Sequence, residues 1–572
     1  MLITTSSASA APLTRYFPDF PLAIIEAKDL QEAVKATGSF GEDTKKFLSV
    51  LLGDALKSSF GKDVPPVLRD FTARAMIASI KDIAVAGYTV KNNPEVLLAI
   101  RLTPNNPITK ALEGLISDAL KDAKPAQRIR QGKYVAINDG VAVGFGNNLF
   151  YLSSNADLLR GYLRRISGEN LPVVVNNTTY RTVSESTGDG FLKQMVNLTS
   201  LAQLLERDKT TPKRFIAALR TLNLTAGASS IAEDGMDTSS ITTLNPNGGD
   251  AALAKLLTYT PAKLELPNLL PSTAPNASII ATDTAGWLDY MGTWLPELEL
   301  NATDQKNILT AFTRLKDRLG NEWAVVGSNN FDTASLLTTL GGASVLTGLS
   351  SVLSPTAENM YYGLVKDGAT TLNDLETAIK TEFNATTAPA TPVSATPAPA
   401  TTATAMTATP VKPTPPASTA PTTTIARIKL AGFDALEIKE NNPEPAQISG
   451  TFYIINKNNL IVIGTSRAQL EASLTAAPLL ENPLFKGIAF PSRLTGMQFS
   501  APVRLTRAAI DKSLSDLIKT FALEKDVPAN ALAATGDWLE SWSSRTQVSY
   551  GNFVVDGNKL KAYSKSGFSW NK

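Results

Sequence analysis

The sequence predicts an α+β protein built from two similar repeats, each an antiparallel, meander-rich sheet packed with helices, with a disordered Ala/Thr/Pro insert in the second. Two observations carry most of this. Leu149 to Leu163, LFYLSSNADLLRGYL, and Leu460 to Leu474, LIVIGTSRAQLEASL, share one plan: a short apolar run, a Ser/Thr pair, then a helical pattern. In addition, the order of elements starts again after about Thr260.

In the first of these stretches Leu158, Leu159, Tyr162, Leu163 and Ile166 fall on one face of a 3.6-period helix, after an apolar run too short to be helical. Ser154 with Asp157, and Ser466 with Gln469, stand at capping-box spacing ahead of the two helices.

From the N-terminus, MLITTSSASAAPLTRYF places Ala8-Ser9-Ala10 before Ala11, the A-x-A pattern of a signal-peptidase site, without the basic and apolar regions that precede one. Residues 1–11 are therefore expected to be the remnant of a signal peptide that starts upstream, which implies an extracytoplasmic location in the periplasm or cell envelope. Leu22 to Lys28 reads as a buried strand, followed by Asp29-Leu-Gln-Glu32 as a capping-box helix start and a helix from Glu42 to Phe60. Ile83 to Val90 and Val96 to Leu102 read as strands joined at Asn92-Asn93-Pro94, and Ile108 to Leu120 as a helix. Tyr134 to Ile137, Val141 to Phe145 and Leu149 to Leu152 continue as a meander turned at Asn138-Asp139-Gly140 and Gly146-Asn147-Asn148. Met195 to Thr199 is expected to open another helix, and Thr221 to Ile231 to pair with Thr238 to Leu244 across Glu233-Asp234-Gly235.

The second repeat follows the same order. Leu270-Pro271, Ile279-Ile280 and Asp283 echo Phe17-Pro18, Ile24-Ile25 and Asp29. Trp323 to Gly327 echoes Ile83 to Gly87, after a helix from Thr303 to Leu319. Asn458-Asn459-Leu460 echoes Asn147-Asn148-Leu149, Val503-Arg-Leu-Thr506 echoes Val196-Asn-Leu-Thr199, and Asp556-Gly557 turns a terminal hairpin as Asp234-Gly235 does. A repeat of about 250 to 300 residues is a tandem domain duplication rather than a solenoid. The expected domains are 12–260 and 261–572, the second interrupted by 385–424, an Ala/Thr/Pro tract between the helix Leu372 to Phe383 and the strand Ile425 to Leu430. That tract buries too little to fold and reads as an extended spacer, mucin-like or simply a tolerated insertion.

Composition removes several functions. The chain has 572 residues, net charge +2, 43% apolar and 19% charged residues, so nothing calls for a nucleic-acid partner. Without cysteine or histidine there is no disulfide, thiolate, Cys/His zinc site or Ser-His-Asp triad. No window reaches the roughly 18 apolar residues of a transmembrane segment.

The strand and helix pattern of FPDFPLAIIEAKDLQEAV and LLPSTAPNASIIATDTAGWL, the NNLFYLSSNADLL and NNLIVIGTSRAQL segments, and the late hairpin at Asp556-Gly557 resemble the bacterial domain-of-unknown-function family 3352. The resemblance covers most of the chain outside the Ala/Thr/Pro tract. It implies an exported or envelope-associated bacterial protein of no assigned activity, and supplies no catalytic residues.

Each candidate site has a plainer reading beside it. Ser59-Phe-Gly-Lys62 matches S-x-x-K, but neither S-D-N nor K-T-G occurs, and Gly61 suits a helix C-cap. Asn245-Pro-Asn-Gly-Gly-Asp250 has the oxygens of a calcium loop without its spacing, and a turn with Asp250 capping Ala251 to Leu257 explains it more simply. Trp538 and Trp542, at i and i+4, could stack on a sugar or lipid or pack into a core. Arg160, Arg164 and Arg165 form a small basic face. Glu26 with Asp29, and Asp283 with Asp289, are acid pairs whose sequence spacing says nothing of the roughly 5 to 10 Å that glycoside hydrolysis needs. The Asn-x-Ser/Thr triplets at Asn176, Asn197, Asn223, Asn276 and Asn301 arise readily in a chain rich in Asn and Thr.

No catalytic, cofactor or metal residues are assigned. The function expected is that of a non-enzymatic envelope protein binding another envelope component, protein or polysaccharide. A carrier of a lipid or other apolar ligand is the alternative, and a carboxylate-based hydrolase the third. A closed apolar cavity would favour the carrier, converging acids the enzyme, and a flat patch the binding protein.

Overall fold

The computed structural model describes residues 12–60, 77–90, 93–104, 106–107, 109–110, 114, 128–131, 134–137, 142–146, 148–207, 211–261, 263–297, 301–327, 359–382, 386–387, 422–441, 450–483, 485, 488, 494–502, 504–520 and 529–571. Helices and antiparallel strands are interleaved throughout, so the α+β class expected from the sequence is observed. The described residues form two compact units, one from 12–264 and 488–571, the other from 265–327 and 359–485.

The strands in chain order are β1 (Ala23–Ala27), β2 (Ile80–Val90), β3 (Asn93–Leu102), β4 (Arg128–Gln131), β5 (Tyr134–Ile137), β6 (Ala142–Gly146), β7 (Leu149–Ser153), β8 (Leu192–Asn197), β9 (Leu224–Ala232) and β10 (Gly235–Thr243). There follow β11 (Asn276–Ala281), β12 (Leu319–Gly327), β13 (Met360–Val365), β14 (Thr386–Thr387), β15 (Thr422–Leu430), β16 (Phe433–Asn441), β17 (Gly450–Lys457) and β18 (Leu460–Gly464). The last are β19 (Gly496–Ser500), β20 (Thr546–Asp556) and β21 (Lys559–Phe568).

In the first unit the strands run in the spatial order β4-β5-β6-β7-β3-β2-β1-β8-β9-β10-β21-β20-β19, every neighbour antiparallel. Alternation sets the faces: Ile24 of β1 points into the core, while Ile25 is 53% exposed on the other side. Onto the core face packs the helix Ala156–Ile166, whose Leu159, Tyr162 and Leu163 are fully buried against Ala84, Leu97 and Tyr151. Each such side chain contributes roughly 1.5–3 kcal/mol by leaving water. Leu13 and Phe17, from the 3₁₀ turn Leu13–Tyr16, close the cluster. Beyond Phe17, Pro18 bridges to Val173, and the Val174 N–H donates to the Phe17 carbonyl at 3.0 Å.

In the second unit the order is β11-β12-β13-β18-β17-β16-β15, again antiparallel. The short β14 lies parallel to β15. The helix Gly368–Glu382 places Leu372, Leu375 and Ile379 on Ile438, Ile454 and Ile461. Leu266 and Leu270 are fully buried, Pro271 bridges to Pro478, and the Leu479 N–H donates to the Leu270 carbonyl at 2.7 Å.

The helix after β7 is capped differently from the expectation. Asn155, not Ser154, is the N-cap, its side-chain oxygen accepting from the Asp157 and Leu158 N–H groups at 2.9 and 3.1 Å. Ser154 turns away and accepts from the Val96 N–H at 2.8 Å. The second copy of the plan is as expected, with Ser466 accepting from the Gln469 N–H. Asp29 precedes the helix Leu30–Ala36 but does not cap it: its backbone is left-handed (φ 49°), its N–H donates to Asp82 and its carboxylate faces Lys81 at 3.8 Å. Met195 to Asn197 is strand, not helix, because β8 is paired on both sides, and the helix begins at Leu198 with Asn197 as its cap. Pairing on both flanks overrides local propensity.

Caps at Asp250 and Asp283 and the turns before Gly235 and at Gly557 (φ 57°) match the expectations. The Ala/Thr/Pro tract lies outside the described residues except at its ends, where Thr386–Thr387 and Thr422–Thr424 are strand, as β-branched threonine favours. The A-x-A pattern, the Asn138-Asp139-Gly140 turn and most of the helix expected at 108–120 also lie outside them.

Candidate functional site: a cleft above β1 in the first unit

The chain between Phe17 and β1 is held from three directions. The Tyr88 hydroxyl donates to the Pro18 carbonyl at 3.0 Å, the Leu22 N–H to the Gly87 carbonyl at 2.8 Å, and the Asn177 amide to the Asp19 carboxylate at 3.1 Å. The Phe20 N–H also donates to Asp19, at 2.8 Å, in a left-handed conformation (φ 58°) rare for an aromatic residue. The result is a Phe20 ring 67% exposed.

Beside this turn opens a cleft of about 430 Å³. Its floor is apolar, from Leu22, Val174, Met195 and Leu224. Its walls are polar, and the sequence positions them through caps. Asn177 accepts from the Tyr180 N–H at the start of the helix Thr178–Ser186. Asn197 caps the helix Leu198–Leu205 by accepting from Ser200. Asn223, left-handed at φ 46°, accepts from the Thr199 hydroxyl and donates to Thr243. These amides are committed to the scaffold. Gln203 and Arg207 also line the cleft, their side chains without a hydrogen-bond partner among the described residues, and the Thr89 hydroxyl is buried beneath the surface without one.

Burial holds the Tyr180 hydroxyl above the usual tyrosine range, helped by the nearby Glu26, so it remains a protonated donor at neutral pH. Tyr88 is raised in the same way by burial. The cleft offers the Gln203 amide, the Arg207 guanidinium and one uncommitted Asp19 oxygen around an apolar floor. Among the described residues Asp19 is the only carboxylate lining it, and no pair of acids converges there.

The residues singled out from sequence are distributed elsewhere. Glu26 is 2% exposed and accepts from the Thr14 N–H and hydroxyl at 3.3 and 2.9 Å, while Asp29 faces Lys81. Asp283 caps its helix through the Gly286 N–H, and Asp289 pairs with Lys316 at 3.2 Å. Asn245 accepts from the Gly248 N–H, and Asp250 from those of Ala252 and Leu253, which commits the oxygens of the calcium-like loop to the backbone. Among the described residues no three acidic side chains are grouped as a metal site would need.

Arg160 pairs with Asp157 and Arg164 with Glu169, while Arg165 donates to the Gly161 and Pro172 carbonyls, so all three arginines of the basic face are engaged locally. Trp538, on the helix Ala529–Arg545, stacks on Phe47 at 5.2 Å and donates to Thr44, and Phe40 lies 5.9 Å away. Trp542 is half-buried on the same helix. Ser59 ends the helix Gly38–Phe60, and Lys62 lies outside the described residues. A second depression, of about 360 Å³, is the outer face of the single helix Ala302–Lys316, lined by Gln305, Lys306 and Leu309.

Sequence reasoning missed Phe20, Gln203 and Arg207. The available signal was the Pro18-Asp-Phe-Pro21 punctuation, which sets an aromatic residue inside a turn.

Compared with known proteins, the chain matches no family model and no curated protein. Among solved structures it is similar to TP0453 in three crystal forms. With form III the identity is 9% and the TM-score 0.24, covering 45% of this chain and 91% of that one. Forms I and IV give 9% and 8% identity, again at a TM-score of 0.24, covering 42% and 41% of this chain and 80% and 81% of theirs. Among the described residues no helix is long and apolar enough to cross a membrane.

Proposed function

We propose that the chain is a non-enzymatic, exported bacterial envelope protein that binds another envelope component, protein or polysaccharide. The observation that carries the reading is the cleft beside Phe20, open to solvent, with polar walls over an apolar floor and, among the described residues, a single carboxylate. A carrier would call for a closed apolar chamber and a glycoside hydrolase for two facing acids, whereas this cleft has the make-up of a recognition surface. The A-x-A pattern near Ala11 and the resemblance to the domain-of-unknown-function family support export.

We also read the chain as a tandem duplication, with the Ala/Thr/Pro tract as a spacer inside the second copy. Strand orders support it: β1-β2-β3-β7-β6-β5-β4 is matched by β11-β12-β13-β18-β17-β16-β15. The runs β8-β9-β10 and β19-β20-β21 match likewise. So do the Pro18–Val173 and Pro271–Pro478 bridges and the carbonyl contacts beside them.

The test incubates the full chain with isolated envelope material and follows both retention and release. Saturable retention with the bound material unchanged in mass supports the reading. Progressive release of smaller products refutes it.

A further inference from the structure

We propose that the Asp19–Phe20 cleft is a saccharide site that grips an internal unit of a glycan chain, an assignment that rests on the binding function proposed above and names its ligand class. A pyranose ring presents an apolar C–H face and a girdle of hydroxyls, so its receptor must pair an aromatic or apolar surface with fixed donors and acceptors. The cleft does both. Phe20 is the most exposed of the large apolar side chains among the described residues, at 67%. It is held out by three neighbours' hydrogen bonds in a left-handed backbone that an aromatic residue rarely adopts.

Lining the cleft with it are Gln203 and Arg207, whose side chains no scaffold bond occupies among the described residues, and Asp19, whose hydrogen bonds among those residues use only one of its two carboxylate oxygens. An amide and a guanidinium can each engage two neighbouring sugar hydroxyls at once, and the remaining Asp19 oxygen can accept from another. The volume of about 430 Å³ is that of a small-ligand site, and its open sides let a chain enter and leave.

The same surroundings disfavour the other polymers of an envelope. An extended peptide is best held by an unpaired strand edge, but β8 and β9, which line the cleft, are paired on both flanks. A nucleic acid or other phosphate chain would meet Asp19, with Arg207 the one cation among the described lining residues to balance it. An acyl chain would leave the polar walls unpaired.

The experiment titrates the full chain with N-acetylglucosamine oligomers, malto-oligosaccharides and soluble peptidoglycan glycan strands, read by saturation-transfer NMR and calorimetry. At least one probe should bind saturably. Phe20→Ala should weaken it about tenfold, Phe20→Trp should preserve it, and Gln203→Ala with Arg207→Ala should weaken it further. Phe20 is exposed, so folding should be retained, which circular dichroism checks.

Absence of binding by every probe, or binding indifferent to Phe20→Ala and Arg207→Ala, overturns the assignment. So does an envelope ligand whose retention needs Phe20 but resists glycosidases and yields to protease, in which case the binding reading survives and the saccharide does not. Failure of the binding reading itself would appear separately, as envelope material that neither wild type nor variants retain.

Discussion

Removing the Glu322 carboxylate tests the duplication at a single atom group. Glu322 is 5% exposed on β12 and accepts from the Glu265 N–H at 2.9 and 2.8 Å and from the Leu266 N–H at 2.8 Å, pinning the start of the 3₁₀ turn Leu266–Asn268. In the first unit the turn Leu13–Tyr16 is pinned by Glu26 of β1. The two acids occupy opposite members of one cross-strand pair: Glu26 stands opposite Ala84, and Glu322 opposite Ala281.

Glu322→Ala leaves two buried donors unpaired. Bonds to a charged acceptor are worth about 1.5–3 kcal/mol each, and the burial that raises the Glu322 carboxyl above its ordinary range offsets part of that, so a net loss of about 2–3 kcal/mol is expected. By local hydrogen exchange that is at least roughly 30-fold faster opening for peptides spanning 264–270 and 319–327. Gln should lose less than Ala, because one oxygen at the Oε2 position reaches both N–H groups, although its NH2 then takes the Oε1 position 2.9 Å from the Glu265 N–H.

The decisive variant combines Glu322→Ala with Ala281→Glu, returning the carboxylate from the neighbouring strand as in the first unit. Recovery of at least half the lost protection is expected. An effect of the single variant below about threefold, or a double variant worse than the single, would refute the reasoning. The sign with pH is also set. A carboxyl raised on folding adds stability below its unfolded value of 4.5, and that contribution falls as pH rises through the folded value. The advantage of wild type over Glu322→Gln should therefore shrink from about pH 4 to pH 7.

Four further outcomes are expected. Asp250→Ala should lower stability by about 1 kcal/mol through loss of its cap, with Asp250→Asn near neutral, measured by thermal unfolding. Gly363→Ala should cost about 1–3 kcal/mol and shift tryptophan fluorescence, because a Cβ there overlaps the Trp323 ring across the β12–β13 pair. Trp538→Ala should destabilise the helix pair Gly38–Phe60 and Ala529–Arg545 by about 2–4 kcal/mol, seen by exchange of those helices, while leaving any glycan affinity unchanged. Tyr362, pushed up to about 12 by burial, must stay neutral when folded, so stability should fall as pH rises above 10; Tyr362→Phe should flatten that part of the curve in alkaline unfolding.

The sequence made the fold legible where local chemistry and tertiary position agree. Asp250, Asp283 and Ser466 cap the helices they precede, and the turns before Gly235 and at Gly557 close the expected hairpins, because these signals act within a few residues. Reading fails where a partner distant in sequence decides. Met195 to Asn197 becomes strand through β1 and β9, and Asp29 gives up its cap for contacts with Asp82 and Lys81. The return of 488–571 to the first unit rests on β10 pairing with β21, more than three hundred residues apart, which no periodicity reveals.

The cleft was hidden for the same reason. Asp19 and Phe20, Thr89, Asn177, and Gln203 with Arg207 come from four separate stretches, and none carries a motif. The acids and tryptophans that do stand out in sequence are engaged in pinning turns, capping helices and joining helices.

The most direct test of the central claim is native mass spectrometry of the protein recovered from the cells that make it, wild type beside Phe20→Ala. We expect wild type in the envelope fraction with an additional non-covalent mass, and the variant in the same fraction without it. A ligand-free chain confined to the cytosol, or an added mass that Phe20→Ala leaves untouched, would contradict the account.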